Sequence, residues 1–159
     1  MTDERTIWDY VSKLRKDLDR LTKTVKSSAK YAIPVMAANI EAPTDGATFY
    51  FGGAAGSGGV LVSRSRMYVP IAGTITAAYV YGYAITAGSA QNWPLYITLN
   101  GTTDTTIATV AAATNGRLWS NAALSIPVVA GDYIEIKSVN PTWVTNPENV
   151  RFGGTVLVK

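Results

Sequence analysis

From Val35 onward the chain is built of short runs rich in Val, Ile, Thr and Tyr, and Gly, Asn, Asp or Pro interrupts them at close intervals. Runs of that length suit strands, and no helical periodicity long enough for a βαβ unit occurs among them, which excludes a parallel nucleotide-binding sheet. The pattern predicts strands at Val35–Glu41, Thr48–Phe51, Val60–Val69, Thr74–Ala84, Leu95–Leu99, Thr105–Ala111, Arg117–Ala122, Tyr133–Val139 and Val150–Val158. Turn chemistry marks the breaks: Pro43-Thr44-Asp45-Gly46, Asn100-Gly101, Asn115-Gly116 and Ala130-Gly131-Asp132. The expected fold class is all-β, an antiparallel β-sandwich or barrel.

A different texture precedes it. Ile7, Val11, Leu14, Leu18, Leu21 and Val25 follow one another by alternating steps of four and three, with mostly charged residues between them. This is a heptad seam, Val11, Leu18 and Val25 at a and Ile7, Leu14 and Leu21 at d. An amphipathic coiled-coil helix with so narrow a stripe needs a partner; either copies of the chain meet there, or the helix lies on the domain that follows. Thr6 with Asp9 resembles a capping box, with Thr2 as a rival cap. Asp9–Lys13, Arg15–Asp19 and Asp19–Lys23 are opposite charges at i,i+4. The seam decays at Ser28, and Pro34 ends any helix at or before Ile33. The expected organisation is an oligomerisation or anchor helix at 1–30, a linker at 31–34 and a β-sandwich at 35–159.

The chain of 159 residues has no cysteine and no histidine. Thiolate chemistry, disulfides and the commonest general base and metal ligand are therefore missing. The net charge of +3 belongs to the helix. Residues 1–30 carry eight basic groups (Arg5, Lys13, Arg15, Lys16, Arg20, Lys23, Lys26, Lys30) against five acidic ones (Asp3, Glu4, Asp9, Asp17, Asp19). The remainder sums to zero, so a solvated helix face, or one that meets an acidic docking surface, explains the basicity better than nucleic-acid binding does. No run is long and apolar enough to cross a bilayer, and the charged N-terminus does not resemble a secretory signal.

Two strands declare their faces. Val150, Phe152, Val156 and Val158 share one side of the last strand, opposite Arg151, Thr155 and Lys159. In 74–84, Ile75, Ala77, Tyr79, Tyr81 and Tyr83 lie on one side and Thr74, Thr76, Ala78, Val80 and Gly82 on the other. Either the small face meets the core and the tyrosine ladder meets a neighbouring subunit, or the tyrosines pack inside with hydroxyls at the rim.

No constellation carries chemistry. The Gly52–Gly59 stretch lacks a P-loop lysine and opens no helix, so it reads as a flexible hairpin tip. The carboxylates of the β region are Glu41, Asp45, Asp104, Asp132, Glu135 and Glu148. Asp45 and Asp132 sit in turns, Glu135 on a polar strand face, and no pair faces across a cleft as a glycosidase requires. No cluster of oxygen donors suggests calcium, and Asn100 to Asp104 reads as a polar hairpin loop. An enzyme, a cofactor and a metal are not expected. Aromatic residues are the remaining recognition elements. Trp93 and Trp143 border polar loops, and each is expected either to stack on a ligand such as a sugar or to fold back and cap the sandwich. Trp8 and Tyr10 exceed what a narrow seam needs and are expected to dock into a partner.

Three segments carry a resemblance: Met67-Tyr68-Val69-Pro70-Ile71-Ala72-Gly73-Thr74-Ile75-Thr76, the run Leu124 to Lys137 containing Ile126-Pro127-Val128-Val129-Ala130-Gly131-Asp132-Tyr133-Ile134-Glu135-Ile136, and Pro141-Thr142-Trp143-Val144-Thr145-Asn146-Pro147. Residues 60–159 resemble phage structural proteins of the head-fibre, spike or decoration type, whose C-terminal domain is a jelly-roll-like β-sandwich. The strand–turn–strand at 126–136 is also similar to trimeric jelly rolls of the C1q and tumour-necrosis-factor type. The resemblance implies a homotrimer on a virion, attached to a capsid or tail protein, with the helix as stalk or anchor. It also allows a receptor- or glycan-binding fibre tip that recognises a host-surface glycan, and it supplies no catalytic residue. β-branched residues at a with Leu at d favour two strands, a preference that Ile7 at d softens, so trimer and dimer both stay open from the seam.

Overall fold

The computed structural model describes residues 12–20, 31–51, 65–111 and 115–159, with the backbone alone at 36–39. The chain divides into two compact units, Met1–Tyr31 with Lys159 and Ala32–Val158. In the first, residues 12–20 form helix α1. Leu14 and Leu18, the two seam residues it contains, are exposed by 53% and 63%. Arg20 pairs with Asp17 at 3.4 Å, one turn apart. Ile7, Val11, Leu21 and Val25, with Trp8 and Tyr10, lie outside the described residues.

The second unit is an antiparallel, jelly-roll-like β-sandwich. Its strands are β1 (Tyr31–Ile40), β2 (Thr48–Tyr50), β3 (Met67–Tyr68), β4 (Gly73–Thr86), β5 (Trp93–Leu99), β6 (Thr103–Val110), β7 (Gly116–Asn121), β8 (Ile126–Val128), β9 (Tyr133–Val139) and β10 (Glu148–Val158). One sheet, A, has the order β1-β10-β4-β7 with β8 also paired to β4; the other, B, has β2-β9-β5-β6 with β3 also paired to β9.

Three of the four turn signals act where they were expected. Asn100 and Gly101 both adopt positive φ, 50° and 68°, and carry the chain from β5 to β6. Gly46 and Gly131, at φ 66° and 94°, close the turns at 43–46 and 130–132. Two expectations change. Residues 31–34 are the start of β1 and not a linker, and Pro34 is tolerated because β1 is, among the described residues, an edge strand. The strand expected at Val60–Val69 is reduced, among the described residues, to Met67–Tyr68. Strand β8, centred on Pro127, was not expected; among the described residues it too has a neighbour on one side only.

The core is where the inward faces meet. Sheet A contributes Val80, Trp119, Val150, Phe152, Val156 and Val158, as the last strand's alternation required, and sheet B contributes Trp93, Leu95, Ile97, Ile134 and Ile136, all buried. Strand β4 shows which way its two faces point. Leu157 pairs with Ala77, yet the next residue, Val158, pairs with Ile75, leaving Thr76 as an extra residue on β4. A bulge of one residue reverses which side chains face inward beyond it. Ile75 is therefore buried on one side of the bulge, and Ala78, Val80 and Ala84 on the other. The small-residue face meets the core and the tyrosines point outward.

Candidate functional site

The outer face of sheet A carries Tyr79, Tyr81 and Tyr83 at alternate positions of β4, exposed by 36%, 51% and 46%. Burial inside the sandwich, one of the two expected outcomes, does not occur, because the bulge at Thr76 sets the phase. The sheet register supplies the surroundings. Tyr79 lies between Ser120 and Thr155, Tyr81 between Leu118 and Gly153, and Tyr83 between Gly116 and Arg151. Leu118 and Ile85 are exposed as well. Gly116 leaves room for the Tyr81 hydroxyl, which would lie 2.7 Å from a Cβ there. On the other flank a Cβ on Gly153 would meet nothing within 4 Å. Three half-exposed rings and two aliphatic chains make an apolar patch on the order of 400 Å², as large as the largest patches of typical monomers.

The outer face of sheet B is built differently. Lys137 on β9 sits directly between Tyr50 on β2 and Tyr96 on β5. Its Nζ lies 5.9 Å and 6.0 Å from the two ring centres and 2.6 Å from Asp104 Oδ2 on β6. Thr98, buried on β5, donates its hydroxyl to Asp104 Oδ1 at 2.7 Å. Burial works against the Asp104 charge, but the hydrogen bonds from Lys137 and Thr98 and the Lys137 charge outweigh it, so its pKa lies below the ordinary value. Beside Thr98 on the other strand is Glu135, only 1% exposed. Arg66 Nε lies 3.6 Å from its Oε1 and Ser65 Oγ 3.5 Å away. The Arg66 guanidinium stacks 4.4 Å from the centre of Tyr133, whose ring is 6.0 Å from Tyr68.

Sequence reasoning placed Glu135 on a polar strand face but missed this grouping. The topology brings Glu135 and Asp104 to either side of Thr98, each held by its own cation. The signal available was the alternation Tyr133, Glu135, Lys137 against Ile134, Ile136, Ser138; the partners from β2, β5 and β6 are distant in sequence.

The two tryptophans expected either to stack on a ligand or to cap the sandwich are interior. Trp93 is 0% and Trp143 6% exposed, so neither offers a face for stacking. Trp93 meets Trp119, Trp143 and Phe152 edge-on, with centroids at 5.4, 5.0 and 5.6 Å. The Trp143 loop is folded back by its backbone N–H donating to Asp45 Oδ1 at 3.1 Å, and by Asn146 donating to the Pro43 carbonyl at 2.8 Å. Burial of an indole outweighs its exposure at a loop tip, and the end-cap alternative describes the geometry. Arg117 lies over Trp93 at 5.4 Å, and burial lowers its pKa from the usual arginine value.

The Gly52–Gly59 stretch lies outside the described residues. Asp132 is a turn residue as expected, accepting from the Val129 N–H at 2.8 Å and from Asn100 Nδ2 at 2.9 Å. Among the described residues no three or more carboxylates, histidines or cysteines come together as a metal site.

No protein-family model and no curated protein matches this sequence. Several solved structures are similar to part of it. FlhE is 8% identical, with 82% of this chain and 96% of that one covered and a TM-score of 0.43. Infectious bursal disease virus, Gx strain, is 11% identical, with 82% of this chain but 31% of that one covered and a TM-score of 0.44. The C-terminal CBM6 of LamC from Zobellia galactanivorans is 14% identical, with 78% and 98% covered and a TM-score of 0.36. At these scores the likeness carries nothing about what this chain binds.

Proposed function

We propose that this chain is a non-enzymatic structural component of a virion, of the capsid-decoration, head-fibre or spike type. Residues 1–30 anchor it to a capsid or tail protein, and the sandwich projects from that anchor as part of a homotrimer. The observation that carries the reading is the exposed ladder Tyr79, Tyr81 and Tyr83, an apolar surface placed outside the molecule. A standard interface buries about 800 Å² per partner and is somewhat more than half apolar. A patch on the order of 400 Å² rimmed by Ser120, Thr155 and Arg151 has the proportions of such an interface. The exposed seam residues Leu14 and Leu18 offer a second surface for self-association. The number three comes from the resemblance to trimeric jelly rolls.

Trp8 and Tyr10 serve as the docking pair in this reading. The test is incorporation of the intact chain into particles of the virus that encodes it, when those particles lack it. Replacing both residues by Ala abolishes incorporation; unchanged incorporation of the double variant removes the anchor assignment.

A further inference from the structure

We propose that the tyrosine ladder of one copy seats on a ribbon, formed by residues 67–75 and 126–134, of the next copy. This rests on the assembly reading and names the second surface that such a reading requires. Around a three-fold axis neighbouring copies meet through two different surfaces, because only a two-fold axis lets one patch face its own counterpart.

The exposed side chains leave one place for it. Outside α1 and the ladder patch, the large apolar side chains exposed among the described residues are Tyr68, Ile71, Val129 and Val144. Val144 stands alone in the loop between β9 and β10. The other three, exposed by 63%, 65% and 60%, share the ribbon. Strand β3 pairs with β9 through Tyr68 and Tyr133, and β4 pairs with β8 through Gly73 and Val128. Between those two pairs, residues 69–72 and 129–132 cross side by side from one sheet to the other. The Val69 N–H donates to the Asp132 carbonyl at 2.8 Å, and the Val69 carbonyl accepts from the Gly131 N–H at 3.0 Å. Pro70, Ala72 and Ala130 are exposed on the same ribbon.

Size, charge and stiffness suit the pairing. Three side chains exposed to that extent make an apolar surface on the order of 400 Å², equal to the ladder patch. That comes close to the apolar share, somewhat more than half, of a standard interface of about 800 Å² per partner. Asp132 is the one charged residue of the ribbon, and it forms no ion pair among the described residues. Arg151 is exposed on the rim of the ladder beside Tyr83, so an acidic surface meets a basic one. The ribbon is also held in shape before docking. Asp132 accepts from the Val129 N–H on one oxygen at 2.8 Å and from Asn100 Nδ2 on the other at 2.9 Å, which keeps the ordering cost of association small.

The test is the sedimentation mass of the intact chain for two triple variants, alone and mixed. The ladder variant has Tyr79, Tyr81 and Tyr83 changed to Ser; the ribbon variant has Tyr68, Ile71 and Val129 changed to Ser. Each alone loses the parent's mass. Mixed in equal amounts they form pairs with one copy of each, because an intact ladder then meets an intact ribbon while no ring can close. Should the ribbon variant fail to fold, Ile71→Asp, a change at one exposed side chain, takes its place. A folded ribbon variant that keeps the parent's mass while the ladder variant loses it overturns the proposal and leaves the ladder reading standing. So do two variants that each lose the mass and never pair when mixed. A parent of single-chain mass, or a ladder variant that keeps the parent's mass, removes the assembly reading and the proposal with it.

Discussion

The Trp119 indole N–H donates to the backbone carbonyl of Trp93 at 2.7 Å, joining sheet A to sheet B through a hydrogen bond sealed in the core. The two rings stand perpendicular with centroids 5.4 Å apart. Each residue thus fills the space between the sheets and fixes the other's position.

Removing that donor has a definite cost. Trp119→Phe keeps an aromatic ring but deprives a buried carbonyl of its partner, an expected loss of about 1–3 kcal/mol. Trp119→Ala adds a cavity and is expected to cost about 3–5 kcal/mol. Urea unfolding of the two variants checks the order.

Two glycines on neighbouring strands respond oppositely to added bulk. A Cβ on Gly82 would lie 2.8 Å from Trp119 and 2.9 Å from Phe152 inside the core. Gly82→Ala is therefore expected to destabilise by about 1–3 kcal/mol through overpacking. Gly153 faces open space beside Tyr81. Gly153→Lys is expected to leave the melting temperature nearly unchanged and to block docking of another copy on the ladder. Calorimetry reads the first effect and sedimentation the second.

Acid stability follows from Asp104. Its folded pKa is depressed below the ordinary 3.8, so its contribution is present above that value and fades as pH falls through the folded pKa. Asp132 is depressed likewise by the Val129 N–H and Asn100, and acts in the same window. Asp104 is partly exposed, so solvent screening limits the Lys137 pair to about 0–1 kcal/mol at neutral pH. Asp104→Asn is expected to lower stability by that amount at pH 7 and to match the parent near pH 2, as urea titrations at both values will show.

Much of the sandwich was legible in the sequence, because period-two alternation and turn residues are local. The strands from Thr74 to Ala84 and from Tyr133 to Val139 needed nothing else, and the buried side of β10 was read directly. The direction of the tyrosine ladder was not legible, since it depends on one extra residue at Thr76 that only the pairing with Leu157 and Val158 reveals. The polar grouping on sheet B was hidden for a related reason. Tyr50, Tyr96, Asp104 and Lys137 come from four strands and become neighbours only through the sheet order. The sequence left Trp143 open between a binding tip and an end cap, and the end cap is settled by Asp45, about a hundred residues away, which draws its loop inward.

The light-scattering mass of the intact chain, beside that of a variant with Tyr79, Tyr81 and Tyr83 all changed to Ser, shows whether the ladder holds copies of the chain together. A homotrimer gives three times the 16.9 kDa chain mass for the parent and a smaller species for a folded variant. A parent that runs as a single chain, or a variant that keeps the parent's mass, contradicts it.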